Sequence, residues 1–240
     1  MKTLNQYIQE KLIINKNYSE ARIVVKSFDE LRKIIEDRYN KLGAGTEQNP
    51  IDFNDIDVSN LDSFCKKNKG IFAETKFKYI DISDWDVSNI ESMRHMFYNC
   101  KKLESNGDLS SWDVSNVTDM SCMFYYCKAL KTVGYLSKWN VSSVENMSHM
   151  FYCYSSFNAD LSDWDVSNVI DMMSMFYGCK SFNQDISSWD VLNVIYMNSM
   201  FCDCKSFNQD ISKWNVVKVK FKTNVFNNCP IKEEYKPKFK

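Results

Sequence analysis

A phrase of about 25 residues occurs six times between residues 78 and 230, clearest over 158–182 as N-A-D-L-S-D-W-D-V-S-N-V-I-D-M-M-S-M-F-Y-G-C-K-S-F. The six tryptophans, Trp85, Trp112, Trp139, Trp164, Trp189 and Trp214, hold one place in it and lie 27, 27, 25, 25 and 25 residues apart. A fixed period in this range describes units that bury their apolar faces only against their neighbours. The repeat therefore constrains architecture more tightly than any composition figure.

Within the phrase two periods follow one another. Ser, Trp and Val alternate with polar residues, as in Ser162-Asp163-Trp164-Asp165-Val166. Alternation of this kind predicts a short strand with one face in a core and one in water. Downstream, Met172, Met175, Phe176 and Cys179 fall at i, i+3, i+4 and i+7, and the stripe recurs at Met120–Cys127 and Met197–Cys204. That spacing predicts a short helix, with Asn168 as its cap and Asp171 in its first turn. The expected unit is a strand, a corner, a helix of two or three turns and a return, in an α/β repeat. A third β segment could turn the same corners, which leaves a parallel β-helix as the alternative. Parallel strands about 4.8 Å apart would give six coils a strand-side length of roughly 30 Å.

The phrase D-I-S-x-W-D-V-S-N-V-x-x-M-x-x-M-F-x-x-C-x-x-F resembles the BspA-like leucine-rich-repeat family, found in bacterial surface proteins and in phage-encoded relatives. The resemblance covers residues 51–230. It implies an LRR-like right-handed solenoid used for adhesion or other protein binding, with no catalytic residues attached. The opening M-K-T-L-N-Q-Y-I looks like short N-terminal helices on some tailed-phage proteins. This offers a second reading, a structural or accessory component of a phage particle tethered through residues 1–50.

Outside the repeat, Leu4, Tyr7, Ile8 and Leu12 suit an amphipathic helix, and 22–26 a strand. Ser27 and Glu30 form a capping box ahead of Leu31, Ile34, Ile35, Tyr39 and Leu42, and Gly43 closes that helix. Residues 1–50 are thus expected to cap or dock the array, with 43–50 as a polar linker. Residues 51–77 read as a degenerate first coil, 78–230 as six full repeats and 231–240 as a basic tail. The first two full units carry two-residue insertions ending in Gly107 and Gly134.

Charge narrows the partner. Residues 211–240 hold eight lysines against two glutamates, so the near-neutral chain has an acidic body. That argues against nucleic acid, which needs a basic stripe. No apolar run reaches 18 residues, so no membrane span is expected. The N-terminus lacks the apolar core of an export signal, and the expected location is cytoplasmic or virion-associated, or the cell surface if an unrecognised route exports the chain.

Chemistry is sparse. Cys100, Cys127, Cys179, Cys204 and Cys229 share one repeat position, with Tyr154 in the remaining unit, and read as a column of small core residues with free thiols. His95 and His149 read as surface residues. Asp81, Asp108, Asp160, Asp185 and Asp210 form a carboxylate column, expected as Asx turns, with calcium the one cofactor worth testing. An enzyme is not expected, because repetition supplies one group many times where catalysis needs one constellation.

What remains is surface. The positions flanking each Trp vary in charge on an unchanging core: Asp84 and Asp86, Ser111 and Asp113, Lys138 and Asn140, Asp163 and Asp165, Ser188 and Asp190, Lys213 and Asn215. These are the expected contacts to a protein partner. The line Tyr98, Tyr125, Tyr152, Tyr177, with Tyr126 and Tyr154, is a second aromatic candidate.

Overall fold

The structure is a computed structural model and describes residues 22–239. The predicted helix over Leu4–Leu12 and the phage-like opening lie outside the described residues.

Regular secondary structure is scarce. The elements are β1 (Ile23–Val24), α1 (Phe28–Leu42), β2 (Ile51–Asp52), β3 (Ile56–Asp57), β4 (Cys65–Lys66), β5 (Lys69–Gly70) and β6 (Ile80–Asp81). Short 3-10 turns lie at Leu136–Lys138 and Glu233–Tyr235. β1 pairs in parallel with β3, and β2 with β6, while β4 and β5 form a hairpin across Lys67 and Asn68. Along the repeats the pairing continues as single parallel bridges: Ser63 to Ser92, then Asp119, Asn146, Asp171, Tyr196 and Phe221. From Ser92 onward each bridge residue lies seven positions after its Trp, so successive repeats lie on one another in constant register.

The short helix expected in every repeat is not formed; α1 is the α-helix of the described residues. The stripe is buried as predicted, since Met120, Met123, Phe124 and Cys127 are all fully enclosed. Its backbone, however, is a chain of turns. Met123, Tyr125 and Cys127 donate their N–H groups to the carbonyls of Met120, Cys122 and Phe124, three residues back. The alternate N–H groups of Met120, Cys122, Phe124 and Tyr126 donate instead to Asn146, Ser148, Met150 and Tyr152 of the next repeat, at 2.8–2.9 Å. Cys122 and Tyr126 take left-handed φ values of 57°.

Spacing supplies the reason. The phenylalanines of this segment stack in file at centroid distances of 5.4 Å (Phe97–Phe124) and 5.9 Å (Phe124–Phe151). Helices packed side by side need about 8–10 Å between axes. Flat segments a strand's width apart can instead share hydrogen bonds with both neighbours.

The expected strand at each Trp is corrected in the same way. Trp85 sits between two tight turns, closed by Trp85 N–H to Ile82 and Ile90 N–H to Val87, and the other tryptophans repeat this. The alternation of burial survives: Trp85 and Val87 are enclosed while Asp84 and Asp86 are exposed. Asn168 caps no helix; its Nδ2 donates to the Ser142 carbonyl of the preceding repeat at 2.7 Å.

At the N-terminal end, Ser27 Oγ accepts the Glu30 N–H at 3.2 Å, and Glu30 returns a carboxylate to Lys26 N–H at 2.9 Å. Gly43, at φ 78°, closes α1. Leu31 and Ile35 join the core, and Tyr39 meets Phe77 edge-on at 5.2 Å. Arg38 forks onto Asp55 at 2.6 and 2.7 Å, tying the helix to the degenerate first repeat. Residues 43–50 are more than a linker, for the Ala44 carbonyl accepts N–H groups from Lys78 and Tyr79.

Candidate interaction surface

Three ladders fix what the surface can offer. Each indole N–H donates to a carbonyl of the preceding repeat: Trp85 to Phe53, Trp112 to Ile82, Trp139 to Leu109, Trp164 to Leu136, Trp189 to Leu161 and Trp214 to Ile186, at 2.8–3.3 Å. All six are nearly fully buried. The rings of Trp164, Trp189 and Trp214 lie parallel at 6.4 and 6.2 Å, and Trp112 and Trp139 at 6.4 Å. A second ladder joins Asn89, Asn116, Asn168 and Asn193 side chains to serine carbonyls one repeat back, at 2.7–2.9 Å.

Carboxylates form the third. Asp81, Asp108, Asp160, Asp185 and Asp210 each accept the N–H of the serine two residues on. The serine hydroxyl and N–H hold Asp108 and Asp210 below the usual carboxylate range; at Asp160 and Asp185 the N–H is the larger cause. The column that made calcium worth testing is therefore engaged with its own backbone. Among the described residues no group of three or more His, Cys, Asp or Glu could hold a metal ion. Gly134, at φ 83°, passes so close that an added Cβ would lie 2.0 Å from Asp108 Oδ1.

All twelve predicted partner residues are exposed, but they fall into two sets. Those after the Trp are committed: Asp86, Asp113, Asn140, Asp165, Asp190 and Asn215 each accept the N–H two residues downstream. Those before it are freer. Ser111 and Ser188 donate to serine carbonyls one repeat back, while Asp84, Lys138, Asp163 and Lys213 project their charges from the flank. Lys138 lies in the 3-10 turn.

The tyrosine line is a stacked, half-buried file at 4.8, 4.6 and 4.5 Å through Tyr98, Tyr125, Tyr152 and Tyr177. Burial pushes the Tyr125 phenol up to about 12. Tyr154 is enclosed among the cysteines. His95 and His149, expected on the surface, are half-buried, and the Nδ1 of each is enclosed without a partner. Burial depresses both imidazoles. The nine cysteines are free thiols, and Cys100, Cys127, Cys179 and Cys204 point Sγ at a carbonyl one repeat back.

The family described as "Mycoplasma protein of unknown function, DUF285" matches three overlapping segments, at residues 44–133, 66–164 and 128–237. The chain belongs to that family. The overlapping matches to this DUF285 member follow from its internal repetition, since each segment spans several copies of one unit. No curated protein and no solved structure matches the chain. No helix of the described residues is long and apolar enough to cross a membrane.

One feature of the surface escaped the sequence reading. In the last three repeats the flank beyond the tryptophans turns apolar, exposing Ile170, Tyr196, Val217 and Phe221. Aligning the six copies position by position would have revealed it.

Proposed function

We propose that this chain is a BspA-like repeat solenoid that acts as a non-enzymatic protein-binding module, through the flank that carries the residue before each Trp. One observation carries the reading. Asp84, Ser111, Lys138, Asp163, Ser188 and Lys213 are exposed and chemically different from one repeat to the next, while the indole beside each is buried and bonded the same way. Variable side chains on a repeated scaffold are how stacked repeats distinguish partners. The neighbouring aspartates are spent on turns, which leaves the pre-Trp file as the readable part of the surface.

The test is affinity capture with the full chain against a Asp84→Lys/Lys138→Glu/Asp163→Lys variant. These side chains are exposed, so the variant should keep the parent's melting transition. A specific protein retained by the parent and lost by the variant is the expected result. Equal retention by both would reject this flank as the binding surface.

A further inference from the structure

The two ends of the stack are closed differently. In each earlier full repeat the N–H groups at four alternate positions donate to carbonyls of the repeat that follows; Ser199, Phe201 and Asp203 reach Thr223, Val225 and Asn227 in this way, each at 2.9 Å. The last repeat keeps the geometry. Asn224 and Asn228 hold φ at 58° and 55°, and Phe226 stacks on Phe201 at 5.7 Å and 5°. No repeat follows, and among the described residues no acceptor meets the N–H groups of Asn224, Phe226 and Asn228. The tail closes another part of this end, where the Tyr235 carbonyl accepts the Ile211 N–H at 3.0 Å and Asn208 Oδ1 accepts that of Lys232 at 2.9 Å. At the opposite end α1 lies over the core, and Arg32 donates to the Gly70 and Ile71 carbonyls at 2.9 Å.

From this row we infer that the C-terminal end of the stack binds an acidic peptide segment of a partner, whose carboxylates and carbonyls accept the N–H groups of Asn224, Phe226 and Asn228. Unpaired backbone groups along an edge are a template for another chain, and this edge offers donors alone. Charge points the same way. The Lys236 ammonium lies over the Phe226 ring at 5.8 Å, Lys222 belongs to the row and lies over Phe239 at 5.5 Å, and Lys205 donates to the Asn228 carbonyl at 3.2 Å. Glu233 and Asp203 pair with two of these, yet residues 211–240 keep eight lysines against two glutamates. Carboxylates that accept backbone N–H groups form charge-assisted bonds, shorter and stronger than neutral ones. A second copy does not fit the row. Its own C-terminal end is equally basic and donor-only, and the Gly70 and Ile71 carbonyls at its other end are taken by Arg32. A nucleic acid would carry its charge past this short row onto the acidic body. The row belongs to the turn segment that follows Phe221 and not to the pre-Trp file, so the two binding properties stand or fall separately.

Amide NMR spectra of the isotope-labelled full chain, titrated with a capped eight-residue peptide of alternating Glu and Val, test this. The amide protons of Asn224, Phe226 and Asn228 should move downfield as the peptide saturates them, while those of Asn227 and Cys229, already bonded to the Asn224 and Phe226 carbonyls, should hold. The same peptide with Gln in place of Glu should bind about tenfold more weakly. Lys222→Gln/Lys236→Gln should weaken binding of the acidic peptide by about tenfold as well. Should that variant fail to fold, the two peptides on the parent decide alone. Unmoved signals at the three amides, equal binding of the Glu and Gln peptides, or tighter binding of an eight-nucleotide oligothymidylate would each overturn the inference. None of these outcomes bears on the capture assay.

Discussion

Replacing Ser199 by glycine should stabilise the protein, and the sign of that change separates a chain of turns from a helix. Ser199 holds φ at 55°. Its N–H donates to Thr223 of the next repeat at 2.9 Å, and its carbonyl accepts Cys202 N–H at 3.1 Å. The left-handed region costs an L-residue roughly 1–2 kcal/mol, which glycine does not incur. Glycine's extra freedom in the unfolded chain returns about 0.5–1 kcal/mol. The net expectation is a gain of about 0.5–1 kcal/mol. In a helix interior the same change would lose about 0.5 kcal/mol, and Ser199→Ala would gain a similar amount. Urea unfolding of parent, Ser199→Gly, Ser199→Ala and Ser199→Ile ranks the variants. Turns predict glycine highest and isoleucine lowest, because a β-branched residue is a true outlier at positive φ. A midpoint that falls with glycine and rises with alanine would refute the turn geometry.

Trp189 is flanked on both sides, by Trp164 at 6.4 Å and Trp214 at 6.2 Å, and donates to Leu161 at 3.0 Å. Trp189→Ala should cost about 3–5 kcal/mol in denaturant unfolding and Trp189→Phe about 0.5–1.5 kcal/mol for the lost indole bond, since the Leu161 carbonyl keeps the Trp164 N–H; equal losses would place the stabilisation in the N–H bond and not in the ring file. Stability should fall in two stages on acidification. Burial lowers the folded pKa of His95 and His149, so their share is present above the ordinary value of 6.5 and fades as pH falls through their folded pKa values. The lowered aspartates, Asp108, Asp160, Asp185 and Asp210, retain theirs until pH falls below the usual carboxylate range, while Asp52 and Asp171, raised by burial, act in the opposite sense. Urea midpoints from pH 7 to pH 3 check this, and a His95→Asn/His149→Asn variant that keeps the first stage would contradict the assignment. Under native conditions a thiol-alkylating reagent should spare Cys100, Cys127, Cys179 and Cys204, which are enclosed; mass spectrometry finding any of them modified before unfolding would show that the column opens.

The register and the core were legible because burial leaves a period in the sequence whatever the backbone does. The Trp spacing anticipated the bridges, and each stripe of Met, Phe and Cys is enclosed as its pattern implied. Conformation was not legible from that pattern. Turns that close every two residues put i, i+3, i+4 and i+7 on one side, much as a helix does. The discriminating signal lay in the gaps between apolar positions. Asn99, Tyr126, Cys153, Gly178, Asp203 and Asn228 share one column, and every one has positive φ. Asn, Asp and Gly make up four of those six, the residue types that tolerate that region best. For the surface, the exposure of all twelve flanking residues was predictable from alternation. The division between them was not, because it depends on which carboxylate has an N–H two residues ahead to receive.

That division bears on how such a chain can acquire a function. An aspartate holding a turn serves the same purpose in every repeat, so changing it threatens the fold before it alters recognition. Asn140 and Asn215 accept the same bonds as the aspartates they replace, which is the limited variation expected of a structural post. The pre-Trp column holds no turn: Asp, Ser, Lys, Asp, Ser and Lys follow one another beside indoles that scarcely differ in burial, with only Ser111 and Ser188 giving a hydroxyl to the repeat before. The same freedom holds where Glu145 gives way to Ile170, whereas at the bridge position Tyr196 and Phe221 give up the N–H bond that Asp119, Asn146 and Asp171 accept two residues on, while the backbone bridge persists. Specificity in this architecture is therefore confined to positions whose side chains the ladders do not use. A swap at Lys138 should change what the protein binds and leave its melting transition in place, whereas Asp165→Lys should move the melting transition first.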